Sequence, residues 1–380
     1  MSMLLPGSTI AVLGGGQLGR MLAFEARRMG YSVGVLDPDG KGPAAQVADF
    51  SIPAAFDDAR AALELAARAD VVTVETELIP YHILEQLEAL KPVRPSSMVL
   101  RTIQNKSTQK DFLQAHGFPV PPYATITDQV SLTRAARAVS FPAVLKRCRS
   151  GYDGKGQVVV ERPADLASAW ESLDSDQSIL ETFITFDKEI SVILARNPRG
   201  EVAVYPIAEN VHRHHILHTT QAPASIAEEI AQRAMALARG IALALDYCGV
   251  MAVEMFLLPD ATLLVNEIAP RTHNSGHYTF GACATSQFEQ HLRAICGLAL
   301  GPPTLFCPVV MVNLLGYVWQ DGAPQWQHAL EHPQVRLHLY GKATARPGRK
   351  MGHLLLVNQP PADSLQLAEQ ILARLAQRPS

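Results

Sequence analysis

Short apolar runs alternate with amphipathic stretches through the first hundred residues. Residues 10–13, 31–36 and 71–74 read as strands, and residues 17–29 and 57–69 as helices. Gly30 follows the first helix, and the turn sequence DPDG stops the second strand. Strand, helix, strand in this rhythm predicts a parallel sheet covered by helices. A further helix is predicted over residues 105–116, with Gly117 just beyond it. The FPVPPY run after that cannot continue a helix, because proline lacks the N–H and crowds the preceding turn.

Beyond this boundary the pattern changes. Residues 143–146 and 157–161 read as strands flanking a polar glycine loop, followed by strands over 178–181, 189–194 and 201–205. The last two flank NPRG, a hairpin turn signal. A long helix is predicted over 225–245, with Ser225 as N-cap and Glu228 at the capping-box spacing. Residues 250–257 and 262–268 form a second hairpin around Pro259 and Asp260, and a tail from about residue 298 holds short strands and a last helix over 364–376.

The 380 residues suffice for two or three domains, and 48% hydrophobic with 18% charged residues is an ordinary globular balance. A net charge of -3 argues against a nucleic-acid binder. The five cysteines are odd in number and lack CxxC spacing, so neither a disulfide framework nor a zinc site is expected. The opening residues lack the basic segment and apolar run of a signal peptide, and no stretch is apolar for the length of a membrane span. A reducing, cytoplasmic setting fits best.

Three motifs carry chemistry. Gly14, Gly16 and Gly19 fit GxGxxG between a strand and a helix, with Asp37 ending the next strand. That spacing fits a dinucleotide site, or equally a tight turn with no cofactor. The second motif is Ser150–Gln157, SGYDGKGQ, with Lys146 before it and Lys155 within it. Its glycines permit a flap that closes over a triphosphate; the plain alternative is a surface hairpin. It is not a Walker loop, since no GKS or GKT opens a helix.

The third motif is a pair of acids. A hairpin with residues 259–262 as its loop sets Leu258 opposite Leu263 and Glu254 opposite Glu267. Directly opposed like charges destabilise a sheet, so a Mg²⁺ between them is expected unless both simply face solvent. Asn266 could add an oxygen ligand. Arg271, His273 and Asn274 follow in APRTHNSGH, where a guanidinium can hold a small oxyanion beside a γ-phosphate. His214, His215 and His218 could suggest a metal site, but a solvated loop or strand face is the simpler reading, because no acid or cysteine lies nearby in sequence.

LGGGQLGRM, KRCRSGYDGKGQ, VEMF, NEIAPRTHNSGH and RPGRKMGH occur in this order. Together they resemble the 5-(carboxyamino)imidazole ribonucleotide synthases of the ATP-grasp superfamily, over nearly the whole chain. The resemblance implies α/β and α+β architecture: a Rossmann-like pre-ATP-grasp domain over 1–102 that binds no NAD, an ATP-grasp fold over 103–297, and a small β-rich C-terminal domain over 298–380. The ATP-grasp part would divide into a lid-bearing portion over about 118–185 and a larger portion over 186–297.

The same resemblance implies site residues. ATP would meet Lys106, Lys146, Gly151, Tyr152, Asp153, Gly154, Lys155, Gly156, Gln157, Glu181, Thr182, Phe183, Ile184, Glu189, His212, Asn266 and Glu267. Glu254 and Glu267 would hold magnesium, two ions in all. Gln17, Leu18, Glu75 and Asn274 would line the ribonucleotide site, and Lys342, Arg349 and Lys350 would hold its 5′-phosphate. Arg271 and His273 would position bicarbonate, and Asp153 or Lys155 would shuttle a proton. A homodimer that passes its product to a separate mutase is also implied.

The chain departs from the family at VETELIP, residues 74–80, which keeps Glu75 and Glu77 but lacks an aromatic between them. Two other readings remain at this point. A formate-dependent glycinamide ribonucleotide transformylase shares the architecture, and an NAD-dependent dehydrogenase would explain only the first glycine motif. A catalytically inactive nucleotide-binding protein is opposed by the presence of both acids and both phosphate lysines.

Overall fold

The computed structural model describes residues 3–149 and 156–376. The N-terminal unit runs β1 (Thr9–Leu13), α1 (Gln17–Arg28), β2 (Ser32–Asp37), β3 (Phe50–Pro53), α2 (Ala59–Ala67), β4 (Val71–Val74), α3 (Tyr81–Glu88), α4 (Ser97–Ile103) and α5 (Lys106–Ala115). Its four strands pair in parallel in the order β3-β2-β1-β4. Both faces of this sheet are buried, which is why its strands are near-continuous apolar runs rather than alternating ones.

A second unit holds β5 (Tyr123–Ile126), α6 (Gln129–Ala138), β6 (Ala143–Arg147), β7 (Gln157–Val160), α7 (Leu166–Leu173) and β8 (Ser178–Thr182). Its strands form an antiparallel sheet in the order β5-β8-β6-β7. The glycine motif lies between β6 and β7 in the sequence, and its residues 150–155 are outside the described residues.

The rest of the chain builds on one large sheet. Its elements are β9 (Lys188–Arg196), β10 (Val202–Val204), β11 (Ala208–Arg213), β12 (Ile216–Ala222), α8 (Glu228–Ala244), β13 (Gly249–Leu257), β14 (Leu263–Ala269), α9 (Thr279–Ala282), α10 (Gln287–Ile295), β15 (Val309–Leu315), α11 (Gln327–Leu330), β16 (Val335–Leu339), β17 (Lys350–Val357) and α12 (Pro361–Leu375). The order is β14-β13-β9-β11-β12-β15-β17-β16, with β10 paired to β9. The C-terminal strands therefore extend the sheet of the middle region through the β12–β15 ladder. Helix α10 packs on the N-terminal unit, where Phe288, Leu292 and Ile295 share a core with Leu18, Met21 and Leu22. No helix of the described residues is long and apolar enough to cross a membrane.

Two local expectations are corrected. Ser225 does not cap α8, which starts at Glu228 with Ala227 at the N-cap. The Ser225 N–H instead donates to Glu209 Oε2 at 3.2 Å, which holds it in the preceding turn. In the β13–β14 hairpin Leu257, not Leu258, faces Leu263, and Met255 faces Val265. A bulge at Asn266 then shifts the register by one, so that Glu254 faces Glu267 as expected and Val253 faces Ile268. The apolar positions drive this shift. Leu263, Val265 and Ile268 all enter one core with Val253, Met255 and Leu257, and a spacing of two then three requires one extra residue.

Candidate active site

Helix α5 begins beneath β14. Asn105 caps it, its side chain accepting from the Ser107 and Thr108 N–H groups. This start places Lys106 and Lys110 one turn apart on one face. Lys106 Nζ lies 3.4 Å from Glu267 Oε2. Lys110 Nζ lies 3.3 Å from Glu181 Oε1, and the other Glu181 oxygen takes Lys146 from β6. Three lysines and two acids thus join the small sheet to the hairpin of the large one.

The electrostatics follow from this burial. Burial alone would raise the Glu181 carboxyl, but Lys146 and Lys110 outweigh it and hold it down at about 2. Burial pushes the Lys110 ammonium down to about 8 in spite of Glu181. Glu254 is pushed up to about 7, first by burial and then by Glu267. Glu267 moves the other way; burial opposes ionisation there, and Lys106 and Lys146 favour it. Lys106 is raised in return, chiefly by Glu267. The two acids of the pair are thus pushed in opposite directions.

Such an acid pair suits a divalent cation, which would relieve the repulsion that raises Glu254. Among the described residues no three His, Cys, Asp or Glu side chains gather into a metal cluster. Two carboxylates that leave the remaining positions to phosphate oxygens and water suit Mg²⁺ bound with a nucleotide.

Around the pair, His273 Nε2 lies 3.6 Å from Glu254 Oε1. The Ser275 Oγ and N–H approach His273 Nδ1 at 2.9 and 3.3 Å, which orients the ring. Burial, then Arg271 and Lys350, holds this imidazole neutral. On β9 and β11, Glu189 Oε2 pairs with His212 Nδ1 at 2.6 Å. Burial works against the charged imidazole, but the Glu189 bond raises His212 above its ordinary value. Arg271 makes a two-point pair with Glu77 from the N-terminal unit.

The remaining expected residues fall as follows. Gly151, Tyr152, Asp153, Gly154 and Lys155 lie outside the described residues. Gly156 sits at φ +74°, and its carbonyl accepts the Arg147 N–H beside Gln157. At the end of β8, the Thr182 and Phe183 N–H groups donate to the Pro122 and Pro142 carbonyls. Among the described residues the Ile184 N–H has no backbone acceptor. Asn266 is the bulge residue, and its carbonyl accepts from Lys110 at 2.9 Å.

Gln17 opens α1, while Leu18 buries its side chain and faces any ligand through its backbone alone. Glu75 accepts from the Gly16 and Gly19 N–H groups at 2.8 and 3.0 Å, and Asp37 accepts from Gly15 at 2.7 Å. The donors that a dinucleotide pyrophosphate needs are thus occupied by the chain's own carboxylates. The Asn274 amide exchanges hydrogen bonds with Asn313, at 3.1 and 2.8 Å. Lys342 Nζ donates to the Lys350 carbonyl at 2.7 Å, and Arg349 to the Thr344 carbonyl at 2.9 Å. Lys350 itself acts electrostatically on Glu254, His212 and His273. His214 and His215 adopt positive φ in the β11–β12 turn, and His218 Nε2 meets Glu369 of α12 at 2.8 Å.

Sequence reasoning missed Lys110, Gln109 and the Glu77 pairing. Lys110 had a signal, since it lies one helical turn beyond Lys106. Glu77 had none, because its partner is 194 positions away.

Residues 7–104 match the ribonucleotide synthetase preATP-grasp domain, residues 111–288 the ATP-grasp domain, and residues 309–366 the phosphoribosylaminoimidazole carboxylase C-terminal domain. The chain is 43% identical over 365 residues to the N5-carboxyaminoimidazole ribonucleotide synthase of Bacillus subtilis (strain 168), covering 95% of this chain and 94% of that protein. It is 45% identical over 353 residues to the Brucella melitensis protein of the same name, covering 92% and 96%. A solved ADP complex of N5-carboxyaminoimidazole ribonucleotide synthetase superposes with TM-score 0.92 at 45% identity, over 99% of both chains. An Aspergillus clavatus N5-carboxyaminoimidazole synthase with ADP and 5-aminoimidazole ribonucleotide gives TM-score 0.88 at 35% identity, over 97% and 98%. With identity at this level along nearly its whole length, the chain belongs to the N5-carboxyaminoimidazole ribonucleotide synthase family of ATP-grasp ligases.

Proposed function

We propose that this enzyme carboxylates the exocyclic amine of 5-aminoimidazole ribonucleotide with bicarbonate, converting ATP to ADP and phosphate, in purine biosynthesis. One observation carries the reading. Lys106 and Lys146 meet Glu267 and Glu181 where the small sheet meets the acid hairpin, and Lys110 is buried against Glu181. That is a site for a polyphosphate and its counter-ion, and its family context supplies the substrate.

In the reaction, a bicarbonate oxygen attacks the γ-phosphorus and ADP leaves. The amine then attacks the carboxyl carbon of the resulting carboxyphosphate, or CO₂ released from it, and phosphate departs. Lys106 and Lys146 neutralise the phosphates, Glu189 receives ribose hydroxyls, and the end of β8 receives adenine. Glu254 and Glu267 would hold Mg²⁺, two ions in our reading, which supplies charge neutralisation at the transferring phosphoryl group. Arg271 and neutral His273 orient bicarbonate beside the acids. Gln17, Leu18 and Glu75 face the ribonucleotide, and Lys342, Arg349 and Lys350 form its phosphate end. The family resemblance assigns the 150–157 motif, of which residues 150–155 lie outside the described residues, to covering the nucleotide, with Asp153 or Lys155 moving a proton. A cytoplasmic homodimer that hands its product to a separate mutase completes the proposal.

The test is ADP formation with and without each partner. Mg²⁺-dependent ADP release that rises on adding both bicarbonate and aminoimidazole ribonucleotide supports the reading. No stimulation by the ribonucleotide, or stimulation by formate with glycinamide ribonucleotide instead, overturns it.

A further inference from the structure

Helix α5 turns Lys106, Gln109 and Lys110 to one side, since positions three and four apart share a helix face. That side lies along the free edge of β14, the outermost strand of the large sheet. Lys106 meets the Glu267 carboxylate. Lys110 Nζ donates to the Val265 and Asn266 carbonyls at 3.2 and 2.9 Å. Gln109 Oε1 accepts the Ile268 N–H at 3.2 Å. One helix face therefore contacts four consecutive residues that span the bulge.

The bulge has a consequence for the acids. Continued without it, the Met255↔Val265 pairing would set Val253 opposite Glu267. A carboxylate would then turn into the core around Val253, and Ile268 would leave that core. A bulge also leaves backbone groups without ladder partners, and buried unpaired carbonyls are costly. Lys110 is 2% exposed and supplies the donor at that point.

We propose that Lys110, with Gln109, is the positioning residue that holds the Asn266 bulge and so keeps the Glu267 carboxylate on the Glu254 side, set for a divalent cation. It acts through the backbone of β14 rather than on the reacting atoms. The proposal rests on reading Glu254 and Glu267 as cation ligands, and it gives Lys110 a role distinct from the phosphate lysines Lys106 and Lys146.

The experiment is calorimetric titration of ADP into the full chain, once with Mg²⁺ and once with a chelator. In the native protein Mg²⁺ tightens ADP binding; no such effect would overturn the functional reading itself. In Lys110→Met, metal-free ADP affinity stays near native, while the gain from Mg²⁺ shrinks roughly tenfold to a hundredfold, the range for residues that orient metal ligands. The same titration on Lys110→Met/Glu181→Gln covers the case in which the single variant fails to fold, because both charges of the buried Lys110–Glu181 pair are then removed and only the more exposed Lys146 ammonium remains. A lost Mg²⁺ gain in the double variant supports the proposal. A native Mg²⁺ gain in Lys110→Met, or its return in the double variant, overturns it, the latter by showing that Lys110 acts only on the charge of Glu181.

Discussion

Arg271 holds Glu77 at two points, Nε to Oε2 at 2.9 Å and Nη2 to Oε1 at 2.5 Å. This pair ties the loop that follows the acid hairpin to the end of the N-terminal sheet. Burial disfavours the guanidinium charge, and Glu77 more than restores it. The arginine that we propose faces bicarbonate is thus oriented from another part of the fold.

Glu77→Gln leaves that arginine without its counter-charge in a largely buried place. The expected result is a stability loss of about 2 kcal/mol in chemical denaturation, together with a lower turnover as Arg271 loses its orientation. A native denaturation midpoint with native turnover would remove the role given to the pair.

The acid pair sets a pH dependence. Glu254 titrates near 7 in the folded chain, above its ordinary range. Between that range and about 7 the native state holds a proton the unfolded chain has lost, so in chelator the stability contribution of Glu254 falls as pH rises. A divalent cation must displace the same proton. Mg²⁺ affinity is therefore expected to climb as pH rises to about 7 and to level off above it. Mg²⁺ titrations from pH 5.5 to pH 8.5, about 1.5 units either side of that value, read this directly. A flat profile would refute the assignment of Glu254 as a ligand.

Glu267→Gln keeps the shape of the side chain and removes its charge. Turnover is expected to fall at least about a hundredfold, because the cation loses a ligand, while the circular dichroism spectrum stays native. Activity close to native would remove Glu267 from the metal site.

Glu75 fills the first glycine loop, accepting from Gly16 and Gly19 while burial raises its carboxyl. A fluorescence titration with NADH should accordingly show no saturable binding. Glu75→Ala should cost about 1–3 kcal/mol of stability, as two backbone donors lose a buried partner. Saturable NADH binding to the native protein would contradict the account of this loop.

Much of the fold was legible because local physics writes it into short stretches. The parallel N-terminal sheet showed in apolar runs such as Val71–Val74, and α5 showed in its Asn105 start and Gly117 end. Ser225 misled because its capping spacing is a local preference, and the contact with Glu209 competes with it. The opposition of Glu254 and Glu267 was foreseen on a turn one residue out of place; the spacing of Leu263, Val265 and Ile268 carried the bulge that restores it.

By itself the sequence determined the family, the class of fold and most of the candidate site, since glycine loops, paired acids and polar motifs state their chemistry in neighbouring residues. Only the tertiary structure decided which distant charges and polar groups meet. Lys110 with Glu181, Arg271 with Glu77, Glu75 with the glycine loop and His218 with Glu369 all join distant segments. Electrostatic and hydrogen-bonding energies depend on distance and burial in space, and neither quantity is set by separation along the chain.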